Sequence, residues 1–246
     1  MRNSKINFKV IILAGGKGSR LGKITKKIPK PLIQIHKKEF IYYLIKYFEK
    51  MGINNFVITT SYKGKFFKRY LKQHKSKSSK FKIVNEKKPL GTGGSLINAI
   101  KKEKLNKDIF FILCNADTLL LYDIRNIYNL IQKKKNILLV IKKKNCQRYG
   151  YIEMKNNQLA GIKRNINKSG FISSGFFIFK SKILNKFKNN VNLNLEKDVI
   201  PKIKKFGHKI YCHKVNKPFI DIGIKSDLKK SKSFIKKDYY EFIKKL

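Results

Sequence analysis

The sequence predicts an α/β fold, with one mixed, mostly parallel sheet and helices on both of its faces. The first observation is an alternation: short apolar runs typical of buried strands are followed by segments whose apolar residues recur every three or four positions. The second is size and composition. The chain has 246 residues, 42% of them hydrophobic, and can bury a core without disulfides or metals. We therefore expect a single Rossmann-like domain over 1–246.

The alternation is clearest in the first half of the chain, 1–135. Strands are predicted at 10–13, 56–60, 82–85 and 109–114. Helices are predicted at 40–51 and 66–71, and a loop that runs into a helix is predicted at 91–100. The polar, Lys/Ser-rich stretch 74–80 is expected to be a surface loop. Strands that alternate with helices in this way form parallel sheets.

The second half, 136–246, is richer in strands. They are predicted at 137–141, 149–154, 158–162, 171–179 and 208–215. Helices are predicted at 195–206 and from Asp227 onward, and the last twenty residues are expected to pack as an amphipathic helix rather than bind a membrane. Because the sequence contains no internal repeat and no Pro/Gly/Ser-rich linker, this half is expected to extend the same sheet.

The charge is unusual, since 59 basic and 14 acidic residues give a net +45. One interpretation is a basic nucleic-acid-binding protein. However, the basic residues are spread from Lys5 to Lys245 rather than gathered in one stripe, which is typical of solvated faces. The aromatic residues also fall at helix and strand core spacings, which favours burial over base stacking. We expect salt-dependent attraction of polyanions but no specific nucleic acid.

Cysteine use and hydropathy indicate a cytoplasmic protein. Cys114, Cys146 and Cys212 show no C-x-x-C spacing, so neither a disulfide framework nor a zinc site is indicated. No apolar run approaches the roughly 20 residues that span a bilayer. The apolar run that begins at Val10 ends at Gly15, short of the roughly 7 to 15 residues of a signal peptide. No membrane insertion is expected.

A glycine-rich, basic stretch at 10–32 is the strongest functional signal. Its sequence is VIILAGGKGSRLGKITKKIPKPL. Glycines there allow close backbone approach, and exposed N–H groups beside clustered cations suit phosphate oxygens. The spacing fits neither the P-loop, because Gly18 separates Lys17 from Ser19, nor the G-x-G-x-x-G dinucleotide motif. The pattern favours a polyphosphate site, and the alternative is a glycine-rich turn without a ligand.

Three further motifs follow along the chain. Glu86-Lys-Lys-Pro-Leu-Gly-Thr-Gly-Gly94 lies between a strand and a helix start, where glycines admit a flat ring and the helix N-terminus offers N–H groups to an anion. Asp117 follows a buried strand, where open α/β sheets hold ligands and where Asp oxygens suit Mg²⁺. The alternative for Asp117 is a capping role. Asp221 lies between apolar residues, where an unpaired carboxylate is costly.

The motif L-A-G-G-x-G-[ST]-R-L at 13–21, followed by P-K-P-L at 29–32, resembles the sugar-phosphate nucleotidyltransferases. The resemblance implies the nucleotidyltransferase fold, with a nucleotide-binding half at 1–135 and a sugar-phosphate-binding half at 136–246. It also implies a transferase of nucleotide-sugar biosynthesis that couples a nucleoside triphosphate to a sugar 1-phosphate and releases pyrophosphate, with Mg²⁺ as cofactor. A nucleotide-sensing protein that lost turnover is an alternative.

The resemblance also implies roles for individual residues. The catalytic residues would be Arg20, Lys30, Asp117 and Asp221, of which the two carboxylates hold the metal. Nucleotide-binding residues would be Leu13, Ala14, Gly15, Gly16, Gly18, Ser19, Glu86, Pro89, Gly91 and Thr92. Sugar-phosphate-binding residues would be Tyr149 and Gly150 of the Arg148-Tyr-Gly segment, with Arg164. The match weakens at Lys163-Arg164 and Ser173-Ser174-Gly175, where relatives carry Glu-Lys and Asn-x-Gly, which leaves the identity of the sugar open.

Glu86 is expected to select the nucleobase, because the residue at this point of the family faces the Watson–Crick edge of the base. A carboxylate only accepts hydrogen bonds, and guanine offers two adjacent donors. We therefore expect GTP as donor, with D-glycero-D-manno-heptose 1-phosphate or mannose 1-phosphate as acceptor. Uridylyl or thymidylyl transfer is the alternative reaction, and a surface Glu86 paired with Lys87 or Lys88 is the alternative structural role.

Overall fold

The computed structural model describes residues 8–61, 63–73, 78–105, 109–133 and 136–246. The strands are β1 (Lys9–Leu13), β2 (Gln34–Ile35), β3 (Lys38–Glu39), β4 (Asn55–Thr60), β5 (Lys80–Asn85), β6 (Phe110–Asn115), β7 (Thr118–Leu120), β8 (Asn136–Lys143), β9 (Tyr151–Lys155), β10 (Gln158–Lys163), β11 (Gly170–Lys180), β12 (Ile210–Val215) and β13 (Phe219–Asp221).

The α-helices are α1 (Lys23–Lys27), α2 (Phe40–Lys50), α3 (Gly64–Gln73), α4 (Gly91–Lys102), α5 (Tyr128–Gln132), α6 (Ile200–Lys205), α7 (Lys225–Phe234) and α8 (Tyr240–Lys245). Short 3-10 turns at Ser19–Leu21, Lys30–Leu32, Ile124–Ile127 and Ser181–Leu184, and π-helical turns at Leu195–Val199 and Ile235–Tyr239, complete the helical segments. Part of the predicted loop 74–80, residues 74–77, lies outside the described residues.

One nine-stranded sheet, in the order β5-β4-β1-β6-β11-β8-β12-β10-β9, forms the centre of the fold. The first four strands of that order are parallel. Strand β11 then runs antiparallel to both β6 and β8, β12 is parallel to β8, and β10 and β9 are antiparallel. The predicted α/β class with a mixed sheet is confirmed. Parallel pairing prevails in the first half of the chain only.

Helices cover both faces of this sheet, because successive residues of each buried strand point to opposite sides. On β1, Val10 and Ile12 join one core with α2, whereas Ile11 joins a second core with α4 and α6. The predicted helix at 40–51 is α2, and its apolar face is fully buried. Burial of the two faces fixes the register of the central strands.

The Lys-rich C-terminal segment packs on the first of these cores. Phe234, Ile235 and Tyr239 are buried, and the Tyr239 hydroxyl donates to the carbonyl of Tyr43 at 2.9 Å. The expected amphipathic packing is therefore present. Within the ranges given above, no helix is both long and apolar enough to cross a membrane. All three cysteines are buried and free.

The pairing of two short strands had no signal in the sequence. Strands β7 and β13 form an antiparallel ribbon beside the main sheet, in which Asp221 pairs in register with Thr118. The ribbon brings the chain near residue 221 back to the carboxyl end of β6. Since β1 and β6 are parallel neighbours, the loops that follow them open at the same edge.

Candidate active site

Two adjoining cavities open at the carboxyl edge of the parallel strands. The glycine-loop cavity, of about 430 Å³, is lined by residues 13–17, 30–31, 86, 89–92, 95 and 115–117. The arginine cavity, of about 270 Å³, contains Arg20, Arg148 and Arg164 in its wall. Thr92, Asn115 and Asp117 line both cavities. Motifs that lie far apart in the sequence thus meet in one continuous site.

The loop after β1 is fixed at its start by the sheet. The Ala14 N–H donates to the carbonyl of Thr59 at 3.0 Å, and the Ala116 N–H donates to the carbonyl of Leu13 at 3.1 Å. Of the predicted nucleotide-binding residues, the following line the glycine-loop cavity: Leu13, Ala14, Gly15, Gly16, Glu86, Pro89, Gly91 and Thr92.

Gly18 and Ser19 were also predicted to bind nucleotide but line neither cavity. Gly18 has a left-handed backbone with φ of 67°, and its carbonyl accepts a hydrogen bond from the Thr25 hydroxyl at 3.0 Å. A Cβ atom at Gly18 would lie 3.0 Å from the Thr25 side chain. Ser19 is exposed and begins a 3-10 turn. In this structure, these two residues shape the turn from the loop into α1.

The glycines of the 91–94 motif also pack closely against another segment of the chain. Cβ atoms at Gly91, Gly93 and Gly94 would lie only 2.2 to 2.5 Å from residues of the segment 191–199. The N–H groups of Gly93 and Gly94 donate to the carbonyl of Leu193 at 2.8 and 3.1 Å. The N–H groups of Gly93 and Gly94 are therefore not open to an anion, because they hold segment 191–199, whereas Gly91 and Thr92 line the glycine-loop cavity.

Glu86 is buried in the wall of the glycine-loop cavity, with 5% of its surface exposed. Its Oε2 accepts a hydrogen bond from the Leu90 N–H at 3.2 Å, whereas its Oε1 is buried and has no partner among the described residues. Burial raises the pKa of the carboxyl, and the nearby Ser95 hydroxyl and the Leu90 N–H partly offset that rise, although Ser95 makes no hydrogen bond to Oε1. The alternative of a surface ion pair with Lys87 or Lys88 is wrong, because the side chain is buried.

Asp117 and Asp221 approach each other through the β7–β13 ribbon. Asp117 follows β6, Asp221 ends β13, and the Ile222 N–H donates to the carbonyl of Asp117 at 3.0 Å. The pKa of Asp221 is raised, first by burial and then by the negative charge of Asp117. Two carboxylates that repel each other in a partly buried site suit a hard divalent cation.

The donor set at this point consists of these two carboxylates, because the described part of the chain contains no cluster of three or more His, Cys, Asp or Glu side chains. Mg²⁺ is commonly bound by one or two carboxylates, with the remaining positions filled by phosphate oxygens and water. The two aspartates therefore fit a Mg²⁺ site that a phosphate substrate completes.

Two predicted cations lie near the aspartates, one in each cavity. Lys30 lines the glycine-loop cavity, and its Nζ forms an ion pair with Asp117. Arg20 lies in the wall of the arginine cavity beside Asp221. A Cβ atom at Gly223 would lie 3.5 Å from the Arg20 guanidinium and 2.7 Å from Asp221. Glycine at 223 thus keeps the space next to both side chains open.

The arginine cavity also holds the predicted sugar-phosphate residues Tyr149, Gly150 and Arg164. Sequence reasoning left Asn115 and Glu196, which share this wall, without a role. Glu196 forms an ion pair with Arg164 and comes from the turn Leu195–Val199. Asn115 could have been noticed, because it ends the strand that leads to Asp117. Nothing near Glu196 in the sequence indicated a site.

The comparisons with known proteins agree with these motifs. A model of the nucleotidyl transferase family matches residues 9–238. The chain is 30% identical over 228 residues to a D-glycero-alpha-D-manno-heptose 1-phosphate guanylyltransferase of Aneurinibacillus thermoaerophilus, which covers 91% of this chain and 96% of the relative. A protein of the same name from Campylobacter jejuni is 32% identical over 223 residues, covering 89% and 96%.

A solved crystal structure has a similar fold. HddC from Yersinia pseudotuberculosis, complexed with GMP-PN, is similar to this chain with a TM-score of 0.79 and 29% identity, covering 92% of this chain and 98% of that one. The family match at 9–238 includes both cavities and every motif that carried the resemblance. The prediction of a transferase is confirmed, and the chain belongs to the nucleotidyl transferase family.

Proposed function

We propose that the chain is a guanylyltransferase that transfers GMP from GTP to a sugar 1-phosphate, giving a GDP-sugar and pyrophosphate. D-glycero-D-manno-heptose 1-phosphate is the first acceptor to consider, and mannose 1-phosphate is the second. The observation that carries the choice of nucleotide is the buried Glu86 carboxylate, whose Oε1 has no partner among the described residues. A buried carboxylate oxygen without a donor is costly unless a ligand supplies one.

Guanine fits this carboxylate better than the other bases do. Its N1–H and N2–H donors lie side by side, so two carboxylate oxygens can accept both in a charge-assisted pair. Adenine offers no such pair of donors. Uracil and thymine offer one donor flanked by carbonyl oxygens, which a carboxylate repels. Hydrogen bonds donated by guanine would also lower the pKa of Glu86, which opposes the rise that burial causes and favours the ionised carboxylate.

The relatives support the same assignment. Two are named heptose 1-phosphate guanylyltransferases, and the solved neighbour holds GMP-PN. Family membership implies a nucleoside triphosphate and a sugar phosphate as substrates, together with a generally metal-dependent reaction. Our proposal narrows these to GTP, to a heptose or mannose 1-phosphate, and to Mg²⁺ held by Asp117 and Asp221.

In the proposed reaction, a phosphate oxygen of the sugar 1-phosphate attacks the α-phosphorus of GTP. A new P–O bond forms, the bond between the α-phosphorus and the bridging oxygen breaks, and pyrophosphate leaves with that oxygen. No general base is needed, because the attacking phosphate is already ionised. The barrier arises mainly from bringing two anionic groups together in line, so catalysis depends on positioning and charge neutralisation.

The cavity residues fit these requirements. Lys30 can donate to phosphate oxygens in the glycine-loop cavity, and Arg20 can stabilise charge that develops at the α-phosphorus and on the departing pyrophosphate. Mg²⁺, when bound, neutralises charge on the reacting phosphates. Tyr149, Gly150 and Arg164 lie where the acceptor would bind, in the arginine cavity.

The test is pyrophosphate release. The protein is mixed with Mg²⁺, each of GTP, UTP, CTP and TTP, and each of a panel of sugar 1-phosphates that includes heptose, mannose and glucose 1-phosphate. We expect release that requires an acceptor and is fastest with GTP. Release with GTP in the absence of any acceptor, or binding of GTP without release under any combination, would contradict the proposal.

A further inference from the structure

Arg148 lies between two carboxylates at the wall of the arginine cavity. Its NH1 forms an ion pair with Asp227, and its NH2 lies 3.6 Å from the Oδ2 atom of Asp221. The same NH2 donates to the Tyr149 hydroxyl at 2.7 Å, and the guanidinium lies 4.6 Å from the centre of the Tyr149 ring. One planar cation therefore connects a proposed metal ligand to a carboxylate outside the cavity.

Asp227 itself does not line either of the two cavities. It lies in the first turn of α7, six positions after Asp221, and its side chain is 16% exposed. It lines a third, basic cavity of about 510 Å³ together with Lys143, Arg148 and Lys230. Arg148 and Tyr149 line both the third cavity and the arginine cavity, and of these two Arg148 forms the ion pair with Asp227, so Arg148 is the direct link from Asp227 to the site.

The two aspartates compete for the same guanidinium. The guanidinium of Arg148 lies closer to Asp227 than to Asp221. In the described ranges, no other carboxylate lies within 4 Å of it. If the charge of Asp227 were lost, the attraction of Arg148 to Asp221 would remain unopposed in a partly buried setting. Arg148 would then close on Asp221 and compete directly with a bound cation.

We propose that Asp227 is a positioning residue that keeps the guanidinium of Arg148 from moving closer to Asp221 than the observed 3.6 Å. In this arrangement the Asp221 carboxylate stays available to Mg²⁺, and the guanidinium stays at the arginine cavity, where the acceptor would bind. The inference rests on the proposed metal site at Asp117 and Asp221. It goes beyond that site because Asp227 touches neither the metal nor a substrate.

The test measures binding of Mn²⁺, as a spectroscopic substitute for Mg²⁺, to the protein without substrates by electron paramagnetic resonance. Asp227→Asn should weaken Mn²⁺ binding by roughly 10-fold, the lower end of the effects found for residues that orient metal ligands. Asp227→Glu should retain most of the affinity, because it keeps the charge. Arg148→Gln should bind Mn²⁺ at least as tightly as the wild type, since the competing cation is gone.

The decisive comparison is between Arg148→Gln and the double variant Arg148→Gln/Asp227→Asn, which removes both charges of the Arg148–Asp227 pair. Lys230, whose Nζ lies 4.0 Å from Asp227, is exposed to solvent. Equal Mn²⁺ affinities are expected, and a weaker affinity in the double variant would overturn the proposal. This comparison also stands if Asp227→Asn alone does not fold. Asp123→Asn is the matched control, because Asp123 pairs with Arg125 outside both cavities, and it should bind Mn²⁺ like the wild type.

Asp221→Asn separates failure of this inference from failure of the metal site. Unchanged Mn²⁺ binding in Asp221→Asn would refute the metal site itself. Loss of binding in Asp221→Asn, combined with wild-type affinity in Asp227→Asn, would refute only the positioning role. In assays with both substrates, Asp227→Asn should also raise the KM for the sugar 1-phosphate and leave the KM for GTP unchanged.

Discussion

The glycine-loop cavity and the arginine cavity are built in different ways. The first is formed mainly by backbone and apolar side chains at the ends of β1 and β6 and at the start of α4. The second is formed by charged side chains from distant segments, and ion pairs such as Arg148–Asp227 and Arg164–Glu196 hold it in place. A site built from backbone is encoded by contiguous motifs, whereas a site built from paired charges is encoded by residues far apart in the chain.

The largest effect is expected at the border of the two cavities, where Asp117 lines both. Asp117→Asn and Asp221→Asn should each lower kcat by about 10²-fold or more, because charge neutralisation at the reacting phosphates is lost. The fold should persist, as judged by circular dichroism and thermal unfolding. Full activity in either variant would refute the metal site formed by the two carboxylates.

Arg20 tests the chemistry of the arginine cavity alone. Arg20→Ala should lower kcat by roughly 10²-fold by analogy with the loss of a transition-state donor, and Arg20→Lys should already be slower because an ammonium lacks the planar fork. Steady-state kinetics should show little change in the KM for GTP. If the KM for GTP rose while kcat stayed constant, Arg20 would be a ground-state binder and would belong with the glycine-loop cavity.

The motif at 91–94 tests whether its glycines serve packing. Gly94→Ala should lower the free energy of unfolding by about 1–3 kcal/mol, because the new Cβ would lie 2.2 Å from the carbonyl oxygen of Val191. The matched control is Gly16→Ala, where nothing lies within 4 Å of the new atom. Urea unfolding of both variants provides the measurement. Equal stability of Gly94→Ala and Gly16→Ala would show that segment 191–199 shifts to accommodate the extra methyl group at little cost.

Much of the fold could be predicted, because burial imposes a period on the sequence. The strand predicted at 109–114 and the helix at 40–51 were found within one residue of β6 and α2. The β7–β13 ribbon could not be predicted, since each strand has three residues and the two are about a hundred positions apart. Local spacing contains no information on such a pairing.

The residues of the site likewise fall into those that the sequence could predict and those that it could not. Contiguous motifs located Asp117 and the loop at 13–16 because strand ends and glycines leave a local pattern. Glu196 and Asp227 left no such pattern, because each pairs with an arginine from another segment. The packing of Gly91, Gly93 and Gly94 against segment 191–199 could not be predicted, because a sequence shows that a Cβ atom is missing but not which atoms would contact it.

The smallest effect concerns the stability cost of Glu86. Burial raises the pKa of Glu86 above its ordinary value of 4.5, so the folded state favours the protonated form and loses stability as the pH rises through the folded-state pKa. Glu86→Gln should therefore stabilise the substrate-free protein at pH 7.5, by about 1 kcal/mol or a rise in Tm of about 2–4 °C.

The gain from Glu86→Gln should shrink as the pH falls toward 4.5, where the wild-type carboxyl is protonated. Thermal unfolding of both proteins over that range provides the measurement. The matched control is Glu241→Gln, because Glu241 is exposed and its pKa is lowered by Lys245, so its replacement should bring no stabilisation at pH 7.5. A destabilised Glu86→Gln protein at neutral pH would show that the buried charge is satisfied within the fold.

Nucleotide preference is the most direct test of Glu86 as the residue that selects guanine. It is measured as kcat/KM for GTP, UTP, TTP and CTP in the wild type and in Glu86→Gln. We expect the wild type to prefer GTP, and the Gln variant to lose much of that preference because its amide presents a donor to a guanine N–H donor. A wild type that prefers UTP or TTP, or a Gln variant whose preference for GTP is unchanged, would contradict the assignment of Glu86 as the residue that reads guanine.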